Sequence, residues 1–314
     1  MKFKKFFSVL IAAASVSFAA DWASSYQTMI AFDKTRAEGN RPGYVKPLAT
    51  YFSAVQNGSW LTGVTVPKSL SFEIGLPINL AFIADREYTS ANVATIFGKK
   101  EEYVYNQEIG RNVIGGNENL NGLSVFTVPA LQAGIGFYHA KILLRAMWLP
   151  TISELQSYNQ LGIALQYSFA QYFRKHLPPA LRSLDVSLLW GYNNTDVSYT
   201  PDKFAGSLDL DFSSHHFMIA FGYSPVQLIE VMLSLGYETS NMDASGKVWQ
   251  EESPSDVILP NMNIDGRSGF RLGIEIAFTL GQSFHPVVGP GIGAANTMNA
   301  NLLYFKQSFG KDEE

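Results

Sequence analysis

The sequence predicts an all-β fold, a closed antiparallel transmembrane β-barrel of about 10–12 strands, with short N-terminal helices and one amphipathic helix insertion. Three observations predict it. Between Gly269 and Gly281, Phe270, Leu272, Ile274, Ile276, Phe278 and Leu280 occupy every second position, and Leu70 to Phe82 repeats the pattern at seven even positions. Period two is the mark of a strand with one apolar face. These runs outlast the roughly five to six residues of a soluble strand and match the roughly nine to eleven that cross a bilayer. Third, charged residues make up only 16% of the chain and aromatics 13%, with a mean hydropathy of +0.02. Strands that show lipid only their alternate residues average out to such values.

Residues 1–19 read as a signal peptide. Lys2, Lys4 and Lys5 form its positive region, Phe6 to Phe18 its apolar core, and Ser17 and Ala19 the small residues before a cut at Ala19–Ala20. The chain carries 23 Lys and Arg against 27 Asp and Glu, so losing these three lysines leaves 20 against 27. An acidic mature chain argues against nucleic acid as a partner. Cysteine is absent, which excludes disulfides, a thiol nucleophile and a lipid-modified N-terminal cysteine.

Residues 20–66 are helical in pattern. Trp22, Tyr26, Met29 and Ile30 recur at helix spacing, as do Tyr44, Leu48, Tyr51, Phe52 and Val55, with Asn57-Gly58 as the stop. Ordinary packing helices explain this, and a plug or cap at one mouth of a barrel is the functional alternative.

The barrel is read over 67–309, with 310–314 as a tail. Its first strand, Leu70 to Phe82, contains Pro77, which has no N–H for the ladder and predicts a bulge or bend. A weaker strand is placed over Arg86 to Gly98. Alternation resumes at Leu123 to Phe137, broken by Pro129. A turn at Tyr138 to Ala140 leads into Lys141 to Leu149. Strands around Leu161 to Tyr167 and Leu184 to Tyr192 follow. Phe217 to Tyr223 leads through a turn at Ser224-Pro225 into Ile229 to Tyr237. Polar Thr239 to Gly266 reads as a long exposed loop, and Ala295 to Phe309 as the closing strand. Aromatics at strand ends (Trp148, Tyr167, Trp190, Tyr223, Tyr237) suit a membrane interface. A secreted β-sandwich also alternates, but its core is about 10 Å thick and rarely needs such long apolar runs. In "SFAQYFRKHLPP", Phe169, Tyr172, Phe173, His176 and Leu177 share a helical face opposite Gln171, Arg174 and Lys175, and Pro178-Pro179 ends it. Such a helix lies along a membrane interface or packs on the barrel rim.

Several stretches together resemble a family of bacterial outer-membrane barrel proteins of uncharacterised function. They are "YVKPLATYFSAVQNGSWLTG", "VPALQAGIGFYHAKILLRAMWLP", where Arg145 and Pro150 are read as closing a hairpin, and "LGIALQYSFAQYFRKHLPPALRSLDVSLLWGYNNTD". The resemblance spans most of the mature chain. It implies a signal peptide and a location in the bacterial outer membrane, and brings no catalytic residues. A remoter, fold-level likeness is to barrels of the long-chain fatty-acid transporter type, which also begin with helices.

Catalytic and metal signatures are sparse. The five histidines form no H-E-x-x-H, and adjacent His215 and His216 face opposite sides of a strand. "GPGIGAAN" ends in Asn296 where a nucleotide loop has glycine, so it reads as a turn. "NMNIDG" has calcium-loop spacing at its start, but its twelfth position is Leu272, and it too reads as a turn. No cofactor and no enzymatic activity are expected. By parity Glu73, Arg145, Glu230, Arg271 and Glu275 point away from lipid. They form either a structural ion-pair network with cross-strand partners or a selectivity ring. The functional expectation is a channel or transporter for small or hydrophobic molecules, with outer-membrane lipid as its surroundings. The alternatives are a non-conducting structural or interaction barrel and a membrane-embedded acyl hydrolase.

Overall fold

The computed structural model describes residues 43–90, 93–99, 104–106, 111–113, 116, 120–152, 155–200, 204–226, 228–250, 257–281, 284–301 and 305–309. The leader, the helix read at Trp22 to Ile30 and the tail lie outside the described residues. The apolar spacing of Leu48, Tyr51, Phe52 and Val55 does make a helix, α1 (Lys46–Asn57), with Pro47 in its first turn and Gly58 leaving it in extended conformation. All twelve residues of α1 are buried. Among the described residues no helix is long and apolar enough to cross a membrane.

The first long strand is split where Pro77 predicts a break, into β1 (Leu70–Gly75) and β2 (Pro77–Phe82). The weaker strand expected over Arg86 to Gly98 does not join the main sheet. A 3-10 turn at Asp85–Glu87 and a small hairpin of β3 (Thr89–Ser90) and β4 (Val93–Ala94) stand there instead. Its buried Thr95, Ile96 and Phe97 pack inward without alternating, which explains the failed reading. A second small hairpin joins β5 (Val104–Asn106) to β6 (Arg111–Val113).

The main sheet continues with β7 (Val125–Pro129) and β8 (Leu131–Phe137), interrupted at Ala130 beside Pro129. Then come β9 (Ala140–Leu149), β10 (Leu155–Ser168), β11 (Leu184–Tyr199) and β12 (Phe204–Val226). Between β10 and β11 lies a short helix, α2 (Ala170–Phe173), continued by 3-10 turns. Ser224 and Pro225 belong to β12, with a register shift before Val226, and the chain turns after it. There follow β13 (Ile229–Glu238), β14 (Asn241–Gln250), β15 (Val257–Asp265), β16 (Gly269–Phe278), β17 (Val287–Ile292), β18 (Asn296–Asn301) and β19 (Phe305–Phe309).

The sheet is antiparallel throughout. β8 to β13 pair in chain order, then β13 pairs β16, β16 pairs β17, and β17 pairs β18. The stretch 70–82 has partners on both edges: β1 pairs β8 and β19, while β2 pairs β7 and β18. Five pairs of segments (β1 with β2, β7 with β8, β13 with β14, β15 with β16, β18 with β19) each continue one stretch of chain. The fifteen segments thus reduce to ten long stretches.

Within Thr239 to Gly266, expected as a loop, the described residues form strands: β14 and β15 pair with each other, and β14 pairs with the first half of β12. Here the alternation is inverted. Met242, Ala244, Val248, Met262 and Ile264 point inward and are buried around α1, with Leu208 and Phe212 of β12. Asp243, Asn261, Asn263 and Asp265 point outward and are exposed. A search for outward apolar residues passes over a strand built this way. The boundary between the two regimes is a row of outward aromatics in direct register, Trp190, Phe217, Tyr237 and Phe270, on four adjacent strands. On one side of this row the outer face is apolar (Phe221, Leu233, Leu235, Leu272 and Ile274 are exposed). On the other it is polar.

Candidate functional site

The segment from Tyr44 to Lys68 runs inside the sheet from one end to the other. At the long-loop end, Ile96 N–H donates to the Tyr44 carbonyl and the Tyr44 hydroxyl to the Gly116 carbonyl. At the short-turn end, Tyr138 and His139 N–H donate to the carbonyls of Lys68 and Pro67. Tyr138 and His139 both hold positive φ, 55° and 66°, as the two-residue hairpin turn between β8 and β9 requires at both positions.

The site is the C-terminus of α1. A helix leaves its last four carbonyls without intrahelical partners and carries partial negative charge there. Here those four, and the next, are taken by side chains from five strands. Arg271 Nη1 donates to Ala54 O at 3.3 Å and Asn79 Nδ2 to Val55 O at 2.7 Å. Arg145 Nη1 and Asn193 Nδ2 reach Gln56 O. His216 Nδ1 lies 3.1 Å from Asn57 O, and Arg145 Nη2 donates to Gly58 O at 3.0 Å.

Arg145 is 2% exposed, and among the described residues no carboxylate lies within ion-pair distance of it. Its charge is met by the two carbonyls, by Gln132 Oε1 at 2.7 Å from Nη2, and by the face of Trp60, 3.8 Å from Cζ. Trp60 is fully buried and backs onto Gly162 and Gly191, where an added Cβ would stand 3.1 Å from the indole in each case. Below it, Thr62 Oγ1 donates to Glu73 Oε1 at 2.8 Å, and Lys141 Nζ bonds both Thr62 (2.8 Å) and Glu73 (3.4 Å). Val64 N–H donates to Glu230 Oε1 at 3.0 Å, and Gln166 Nε2 to Gly63 O at 2.8 Å.

Of the five charges singled out by parity, Glu73, Arg145, Glu230 and Arg271 therefore all bond the interior segment. Glu275 accepts from Asn299 Nδ2 at 2.9 Å. Glu73 pairs with Lys141, and Arg271 with Glu238 at 2.9 Å. Arg145 closes no hairpin, since it lies inside β9. The sequence alone attaches no role to Trp60, Asn79, Lys141, Asn193, His216 or Glu238. The strand residues among them sit at inward parity, the signal by which they could have been found. Asn261 to Asp265, expected as a turn, lie in β15. Among the described residues no cluster of three metal-ligating side chains occurs.

A cavity of about 430 Å³ lies where the wall steps from β13 to β14 and from β15 to β16, lined by Ser213, His215, Thr239, Asn241, Asp265 and Ser268 among others. The wall beside it is tied to α1: Ser240 Oγ donates to Ala49 O at 2.8 Å and Arg267 N–H to Thr50 Oγ1 at 2.8 Å.

The family of unknown function DUF6588 matches residues 1–285. The chain belongs to that family. No curated protein matches it. Among solved structures, this DUF6588 chain is similar to the outer membrane protease OmpT from Escherichia coli, at 10% identity and TM-score 0.38, covering 78% of this chain and 98% of that one. It is similar to the translocator domain of autotransporter NalP from Neisseria meningitidis, at 8% and 0.36, covering 90% and 99%. A third is the Ralstonia pickettii toluene transporter TbuX, at 7% and 0.28, covering 88% and 100%.

Proposed function

We propose that this DUF6588 protein is a closed ten-stranded barrel of the bacterial outer membrane, plugged by its own residues 44–66. In this state it conducts nothing and serves as a structural or interaction barrel. One observation carries the reading: five consecutive carbonyls, Ala54 to Gly58, are held by wall side chains from five strands, so the interior is a socket built for this segment. Closure is supported by the stretch 70–82, which pairs with both the second and the last long stretch.

The membrane reading is supported by the aromatic row and by the band beneath it. From Phe217 to Val226 at the end of β12, a rise of about 3.4 Å per residue and a tilt of about 40° give a height of about 23 Å, against about 25 Å for an outer-membrane apolar belt. Interfacial rings and an outer face that turns polar beyond them fit one lipid boundary. We assign the barrel no catalytic step.

Liposome swelling tests the proposal. Wild-type protein inserted in vesicles is expected to pass no small solutes, and Arg145→Ala combined with Trp60→Ala to raise permeability. Swelling by the wild type at the rate of an open porin would overturn it. A second reading, passage of small or hydrophobic molecules through the wall, is favoured by the 430 Å³ cavity, whose wall residue Ser240 bonds Ala49 of α1. It requires α1 to move, so a crosslink fixing α1 to β15 would block such uptake and leave a purely structural role intact.

A further inference from the structure

Residues 169–183 join the short-turn ends of β10 and β11 and fold over the outside of the wall, away from the interior. The Tyr172 and Tyr167 hydroxyls lie 2.8 Å apart, and Gln171 Nε2 donates to Tyr167 at 3.1 Å. The Phe169 ring meets those of Tyr167 and Tyr172 at 5.0 and 6.3 Å. Tyr167 faces outward on β10, so Tyr172 lies against the foot of the outer wall. It remains 65% exposed there, and Leu181 46%. The segment is anchored by Phe169 N–H to Val186 O at 2.8 Å.

Around these rings stand exposed cations: Lys175 and Arg182 on the segment itself, and Lys68 over the Tyr138 ring nearby. Among the described residues this end shows no exposed carboxylate. Asp185 is buried, bonded by Ser168 Oγ at 2.8 Å and 3.9 Å from Arg174, and Glu230 is half-buried. The opposite end exposes Asp85, Asp196, Asp211, Asp243 and Asp265. Short turns mark the periplasmic side of outer-membrane barrels.

We propose that this foot binds an anionic phospholipid of the periplasmic leaflet, with Lys175 and Arg182 on its headgroup phosphate and Tyr172 and Leu181 along its upper acyl chain. The proposal rests on the membrane reading above. Cations beside apolar rings at an interface are the arrangement that anionic lipid surfaces attract. A lysine or arginine near the surface favours such lipid by about fivefold each.

The test uses the full mature protein in phosphatidylcholine vesicles carrying spin-labelled lipid, reading the motionally restricted fraction. Spin-labelled phosphatidylglycerol is expected to be preferred over phosphatidylcholine. The preference should fall about fivefold for each of Lys175→Gln and Arg182→Gln, and weaken at about 0.5 M salt. Both residues are exposed, so folding, checked by heat-modifiable gel migration, is expected to be unchanged. Equal association of the two lipids with the wild type would overturn the proposal, as would a preference that survives the double variant. A wild-type protein that does not float with vesicles would instead overturn the membrane reading beneath it.

Discussion

The guanidinium of Arg145 lies 3.8 Å over the ring of Trp60 while its nitrogens hold the carbonyls of Gln56 and Gly58. A buried cation without a carboxylate survives only if dipoles replace water around it. Here the helix end supplies the equivalent of about half a negative charge. A desolvated cation–π contact adds about 2 kcal/mol. Arg145→Ala is therefore expected to cost about 2–5 kcal/mol, because it strands Gly58 O and Gln132 Oε1 in the interior, at about 1–3 kcal/mol each. Arg145→Lys should fall between the two, keeping the charge but losing the planar fork. Urea unfolding of the vesicle-inserted protein measures this, and an Ala variant as stable as wild type would remove the socket from the argument.

Trp60 fits only because two wall positions lack side chains. A Cβ at Gly162 would stand 2.6 Å from Asn193 Oδ1 and 3.1 Å from the indole, and one at Gly191 3.1 Å from the indole nitrogen. Gly162→Val with Gly191→Ala should push the ring off the wall and break its stack on Arg145. With the other four tryptophans replaced by phenylalanine, Trp60 fluorescence in the wild-type background is expected to be blue-shifted and poorly quenched by acrylamide. In the double variant it should shift red. Identical spectra would mean that the ring does not depend on this slot.

Arg271 and Glu238 form a pair whose members each also bond other groups, so a double-mutant cycle is what isolates their interaction. Arg271 reaches Ala54 O and Thr297, and Glu238 accepts from Ala294 N–H at 3.1 Å. Arg271→Ala alone should cost about 3–5 kcal/mol by leaving a buried carboxylate unpaired. Adding Glu238→Gln should recover part of that, with a coupling of about 1–3 kcal/mol in the double-mutant cycle. Strict additivity would show that the pair is not a unit.

How far the sequence could be read follows from which rule each residue obeys. Period two alone turns Glu73, Arg145 and Arg271 inward, because a strand offers a side chain two directions. It cannot say that Arg145 meets a helix end instead of an acid, since that contact joins residues 87 and 89 positions apart. The socket as a whole was invisible for the same reason. Trp60 lies in an irregular stretch where no periodicity applies. The hairpin β14–β15 was missed for the opposite cause: it alternates well, but with its apolar side toward α1. The pattern sought was apolar outward, which holds only within the belt. Pro77 and Pro129 needed no such context, as the missing N–H interrupts a ladder wherever the strand sits.

That projecting hairpin should respond to pH. On the proposed membrane placement β12 leaves the apolar belt at His215, and Asp211, four residues beyond it, is exposed to solvent. Its carboxyl is held above the ordinary carboxylate range by partial burial first, and then by Asp196, Asp209 and Asp243. A carboxyl raised in the folded state binds more protons folded than unfolded between its ordinary value, about 4, and its raised one. Stability therefore falls as pH rises through that window, and the full penalty stands above it. Asp211 is exposed, so screening keeps the effect small. Hydrogen exchange over Asn241–Gln250, corrected for the intrinsic pH dependence of exchange, is expected to be a few-fold slower near pH 4.5 than at pH 7.5. Asp211→Asn should slow it at pH 7.5 and remove most of the difference. Protection that instead improves on raising the pH would mean that the four carboxylates do not repel one another across this face.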